Sequence, residues 1–261
     1  MTNINLNGSS LTFDQDKLIS FDEATHTYTV ADMGVFTPVS SVVGKFFEPF
    51  DAVYWSLNKC YGDEDAAKRL REEWECNGHL ASQAGTFMHK QIEDYLNHRH
   101  DGAMQCTVSY DGKWVHECKQ VDITPEWNQF LAFDRATTYE PFRTEWRVFD
   151  PEHRIAGTID LLCQCDDGTF EIYDWKRSNK IHPDEINQWA NGINGLEDLT
   201  DTAYSHYCMQ QNLYRHILET YYGLRISRMN LVVLHPKIFN YRIVPVPRME
   251  REVAIMLKNF R

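Results

Sequence analysis

The chain has 261 residues, 43% hydrophobic and 13% aromatic against 25% charged, which suits a sizeable folded core and excludes a disordered tail. Its formal charge of −12 argues against coating nucleic acid by bulk attraction, although residues 215–261 hold nine Lys or Arg against three Glu. That stretch allows a local basic surface, or equally a set of solvated side chains. No run of about 18 or more apolar residues occurs, and the start MTNINLNGSS has no basic or apolar targeting region, so neither membrane insertion nor secretion is expected.

Residues 19–30 are rich in β-branched and aromatic types, and the turn Asp32-Met33-Gly34 before Val35 and Phe36 predicts a hairpin. Thr37 as N-cap with Pro38 at the first helical position predicts a helix start. Charged helix formers over 63–75 and apolar residues at helical spacing over 85–95 predict two helices. Residues 97–122 read as a loop or small hairpin, and 125–137 as a helix. Three strand-like segments follow, over 144–149, 155–165 and 169–175, with a turn at Asp166-Asp167-Gly168 joining the last two. A helix over 204–222 and strands over 231–234 and 241–246 complete the pattern. No repeat or linker divides the chain, so one α/β or α+β domain is expected over 1–261: an N-terminal hairpin and helix region over 1–80 and a core from about 80, with a mixed central sheet flanked by helices.

The seven cysteines are odd in number, scattered and without a CxxC pair, as expected of reduced thiols in a cytoplasmic or similarly reducing compartment. Cys163 and Cys165 share one face of a predicted strand and are read as packing residues.

The chemistry lies in AGTIDLLCQCDDGTFEIYDWKRS, residues 156–178. Positions two apart on a strand share a face, so Asp174 and Lys176 point together and Trp175 points away. A paired neighbouring strand can bring Asp160 beside them. Hard oxygen ligands hold Mg²⁺ or Mn²⁺ while leaving positions for phosphate oxygens and water. Lys176 can then orient the attacking water or stabilise a pentavalent transition state. The alternative is a surface ion pair on a hairpin, worth little energetically. Against it, an unpaired charge within the otherwise apolar segment YDWK would be costly.

In order along the chain, Gly85-Thr86-x-x-His89 with Glu93, the strand Glu145-Trp-Arg-Val, Gly157-Thr-Ile-Asp160, Asp174-Trp-Lys176 and Gln210-x-x-x-Tyr214 resemble the PD-(D/E)XK nuclease superfamily, and within it the RecB-type branch. The resemblance covers roughly residues 80–220 and implies a restriction-endonuclease-like core. It implies His89, Asp160, Asp174 and the backbone carbonyl of Trp175 as ligands of Mg²⁺ or Mn²⁺, with Glu145 a less certain ligand. Lys176 is then catalytic with the two aspartates, and Gln210 and Tyr214 lie near bound nucleic acid. The implied activity is a DNA nuclease, in the first place an exonuclease acting on DNA ends in recombination, replication or repair alongside proteins of those processes. A structure-selective or restriction-like endonuclease, or an inactive nucleic-acid-binding subunit, are the alternatives. Packing explains Tyr214 equally well at this stage, and Glu93 reads equally as a solvated helix residue. The iron–sulfur cluster of some relatives is not expected, because no cysteine follows Cys208.

Overall fold

A computed structural model describes residues 5–260. Residues 19–30 form two strands, β1 (Ile19–Asp22) and β2 (Thr27–Val30), because Asp22 accepts the backbone N–H groups of Ala24 and Thr25 and turns the chain between them. Gly34, at φ +81°, makes the next turn and starts β3 (Gly34–Pro38), so the expected hairpin is a three-stranded meander. The first helix, α1 (Val39–Gly44), begins one residue later than expected. Pro38 is its N-cap at ψ 140°, and Thr37 stays in the sheet with its N–H donated to the Arg154 carbonyl.

Asp51 caps α2 (Ala52–Lys59), which the sequence reading missed. Asp63 then caps α3 (Glu64–Leu96), a single helix of 33 residues where two were expected. Gly78 and Gly85 each disfavour a helix by about 1 kcal/mol relative to Ala. That is outweighed because Cys76, Leu80 and Ala84 are buried on the intervening turns and pack with Val108. Val108 belongs to a separate two-stranded sheet, β4 (Gln105–Asp111) with β5 (His116–Asp122), where a loop or hairpin was foreseen. Glu72 of α3 fixes its turn by accepting the N–H groups of Trp114 and Val115.

After α4 (Thr124–Ala136) come β6 (Pro141–Asp150), β7 (Ile155–Gln164) and β8 (Phe170–Lys176), then α5 (Ala203–Tyr221), β9 (Ile226–Val233), β10 (Arg242–Pro245) and α6 (Glu250–Asn259). The eight-stranded sheet is mixed: β3 with β7 and β8 with β9 pair in parallel, the other pairs antiparallel. Two apolar layers cover it. Met88, Ile92, Phe130 and Phe133 from α3 and α4 pack with Leu161, Tyr173 and Trp175 on one face. Val42, Met209, Leu213 and Met256 from α1, α5 and α6 pack with Leu162, Ile172 and Leu231 on the other. The protein is thus a mixed α/β fold, a central sheet flanked by six α-helices among the described residues. The seven cysteines are free thiols, with Cys163 in the core, and no described helix is long and apolar enough to cross a membrane.

One topological detail positions the site. β6 runs along one edge of β7 from Ile155 to Cys163. The opposite edge is shared: β3 pairs only at Ile155 and Ala156, and β8 only from Leu161 to Gln164. The sheet therefore forks over residues 157–160 of β7.

Candidate metal centre

The fork gathers residues from four elements. The β7–β8 ladder ends at Leu161–Tyr173, one step short of setting Asp160 opposite Asp174. Instead the Asp160 carboxylate replaces the missing strand partner: its Oδ2 accepts the Trp175 N–H at 2.8 Å. A strand residue presents its N–H and C=O to the same edge, so the Trp175 carbonyl is directed into the fork as well.

Glu145 reaches the same place from β6. It sits between the paired couples Thr144–Leu161 and Trp146–Ile159, opposite Asp160, and its backbone is left-handed at φ +46°. That conformation costs a non-glycine residue about 1–3 kcal/mol. From α3, His89 places Nδ1 3.4 Å from Asp160 Oδ2. One donor atom each from His89, Glu145 and Asp160 lies within 4.8 Å of the others.

Asp174 takes a different part. Only 3% exposed, it meets Lys176 Nζ with Oδ2 at 2.6 Å and accepts the Gln211 amide with Oδ1 at 2.8 Å. Lys176 lies 4.3 Å above the ring of Tyr207. The next residue, Arg177, turns to α4 and pairs with buried Glu126 at 2.7 Å, which anchors the end of β8.

Electrostatics follow from this crowding. Burial pushes the Glu145 carboxyl well above its usual range, and the charges of Asp160, Glu93 and Asp174 add to the effect. Burial also pushes Asp174 up to about 6, Lys176 opposing and Asp160 reinforcing the shift. For Lys176 burial acts downward, yet Asp174 and Asp160 outweigh it and hold the ammonium up at about 12. Three carboxyl groups thus share one fork with one firmly protonated lysine.

The donors fit a hard divalent cation. Around an octahedral Mg²⁺, neighbouring ligands are about 3 Å apart and opposite ones about 4.2 Å, the scale on which these three donors are gathered. One imidazole among oxygens also accommodates Mn²⁺. The fork opens beside a cleft of about 500 Å³ whose lining includes Lys90, Glu93, Arg143, Glu145, Arg147 and Thr158.

The structure therefore brings together His89, Glu145 and Asp160, with Asp174 and Lys176 ion-paired beside them. Glu145 is more central than its sequence position suggested, and Asp174 is turned toward Lys176. Tyr214 is only 3% exposed and its ring packs in the core against Gly157. Gln210 is half-buried and donates to the Tyr214 hydroxyl at 3.2 Å. Glu93 is buried and pairs with Arg99 at 3.3 Å and Lys90 at 3.5 Å. The sequence reading missed Gln211 and Tyr207. Their signal was helical spacing: Tyr207 and Gln211 are four apart, on the α5 face that looks at β8.

No family model matches the chain, and no curated protein matches it. A solved structure described as the crystal structure of SSO0001 aligns over 85% of this chain and 73% of its own, at 12% identity and a TM-score of 0.34. That similarity is too slight to carry an argument about fold or function.

Proposed function

We propose that the protein is a divalent-metal-dependent DNA nuclease, acting as an exonuclease on DNA ends in recombination, replication or repair. The observation that carries the reading is the convergence in one fork of His89, Glu145 and Asp160 with the Asp174–Lys176 pair. His89, Glu145, Asp160 and the Trp175 carbonyl would hold Mg²⁺ or Mn²⁺, with Asp174 beside them. When bound, such an ion supplies positive charge to a phosphodiester and acidifies water. Lys176, kept protonated by its two acidic neighbours, contributes a fixed positive charge for the developing charge on phosphorus oxygens and is not a base. Asp174 and Gln211 hold the end of β8 in register with α5, and Tyr207 fixes the ammonium from below.

The test is incubation of the purified protein with end-labelled single- and double-stranded DNA in Mg²⁺, Mn²⁺ or EDTA. Cleavage in either metal, lost in EDTA and in Asp160→Asn, is expected. Full activity in Asp160→Asn, or no cleavage under any condition, refutes the proposal.

A further inference from the structure

Toward the N-terminal half of α3 lies a groove of about 660 Å³ lined by Phe50, Trp55 and Trp74 together with Lys59 and Lys180. No acidic side chain lines it, in a chain with 38 acidic and 26 basic residues. Its rings are not packed away: Phe50 is 67% and Trp55 37% exposed, and Trp74 is half-buried. Phe50 meets Trp74 edge-on at 5.7 Å between centroids, and Lys59 Nζ lies 5.4 Å from the Trp74 ring centre. Exposed rings with ammonium groups between them and no carboxylate suit a ligand with flat faces and a negative backbone.

The groove and the candidate centre share one face of α3. Trp74, Gly78, Ala81, Gly85 and His89 recur at spacings of four, three, four and four on one face of α3. A Cβ on Gly78 or Gly85 would meet nothing within 4 Å, so neither glycine is explained by packing. At the other side, Lys180 follows Lys176 by four residues.

We infer that this groove is a stacking platform for single-stranded DNA, with Phe50, Trp55 and Trp74 under successive bases and Lys59 and Lys180 at the phosphates. The inference rests on the nuclease reading and adds to it a substrate class, a strand with unpaired bases.

The experiment measures binding of fluorescent oligothymidylate and of a blunt duplex of equal length, in EDTA, at two salt concentrations. The wild-type protein should prefer the single strand, and Phe50→Ala and Trp55→Ala should each weaken its binding by about 10-fold or more. Trp55→Phe should restore most of that loss, and Lys59→Gln should flatten the salt dependence by about one unit of slope. Both aromatic positions are exposed, and thermal melts report whether the variants remain folded. Binding unchanged in the folded aromatic variants, no preference for the single strand, or no binding at all overturns the inference. A dimer that Phe50→Ala dissolves while oligonucleotide binding stays constant overturns it too, and makes the groove a contact between copies of the chain. Cleavage of the same oligonucleotide in Mn²⁺ reads the nuclease proposal separately. Ring-dependent binding without cleavage removes only the nuclease proposal, and cleavage without ring dependence removes only the platform.

Discussion

Raising the pH from about 5 to about 7.5 should destabilise the ion-free protein through the carboxyl groups of the fork. Burial holds Asp174 at about 6 in the folded state against 3.8 when free. An acid whose folded value is raised contributes stability that is fully present below the unfolded value and is lost as pH rises through the folded one. Between those pH limits Asp174 alone removes on the order of 1 kcal/mol. Glu145 acts in the same direction, since burial and the facing Asp160 also raise it. His216 and His235, which burial holds below their ordinary range, act in the opposite sense. The informative quantity is therefore a comparison with Glu145→Gln, which leaves both histidines in place, removes one acid and relieves the other. Urea denaturation in EDTA should show the variant gaining on the wild type as pH rises, and millimolar Mg²⁺ should erase that gain because it binds the ionised wild-type site. Parallel pH profiles for the two proteins in EDTA would refute the account of mutual repulsion in the fork.

Three other outcomes are expected. Lys176→Ala should lower single-turnover cleavage at saturating protein by about 100-fold or more while DNA binding is largely kept, and a wild-type rate at saturation would reduce Lys176 to a phosphate contact. Glu145→Gly should stabilise the ion-free protein by about 1 kcal/mol, since relief of the left-handed backbone exceeds the added entropy of glycine, and a loss of stability in the same denaturation assay contradicts the strain. Gly157→Ala would place a Cβ 2.5 Å from the Tyr214 ring, so its melt should report a loss of about 1–3 kcal/mol, partly recovered by Tyr214→Leu.

The strand pattern around residues 144–176 was legible because alternation and the Asp166-Asp167-Gly168 turn are local signals, and the structure places β6, β7 and β8 there. The adjacency of Asp160, Asp174 and Lys176 followed from the same pattern. The 33-residue span of α3 did not, because glycines at 78 and 85 weaken the local signal and the compensating burial comes from Val108 on a distant hairpin. Glu145 was named as a less certain ligand, but its left-handed backbone was not legible. A glutamate gives no warning of positive φ, and the register that sets Glu145 opposite Asp160 depends on how β6 pairs with β7. On α5 the sequence offered two adjacent glutamines, and only tertiary packing decides that Gln211, and not Gln210, reaches Asp174.

The unbroken α3 has a consequence for how the molecule tolerates change in length. At 1.5 Å per residue it is about 50 Å long, and the 15 steps from Trp74 to His89 span about 22 Å. A helix couples distance to angle, about 100° for each residue added, so it acts as both ruler and phase lock. One residue inserted between Gly78 and Gly85 would leave both halves helical yet swing Trp74 out of line with His89. Near that segment, changes of about four, seven or eleven residues, close to whole numbers of turns, return the two ends to a common face, and those of one, two or five do not. Loops elsewhere in the chain can lengthen without such a rule.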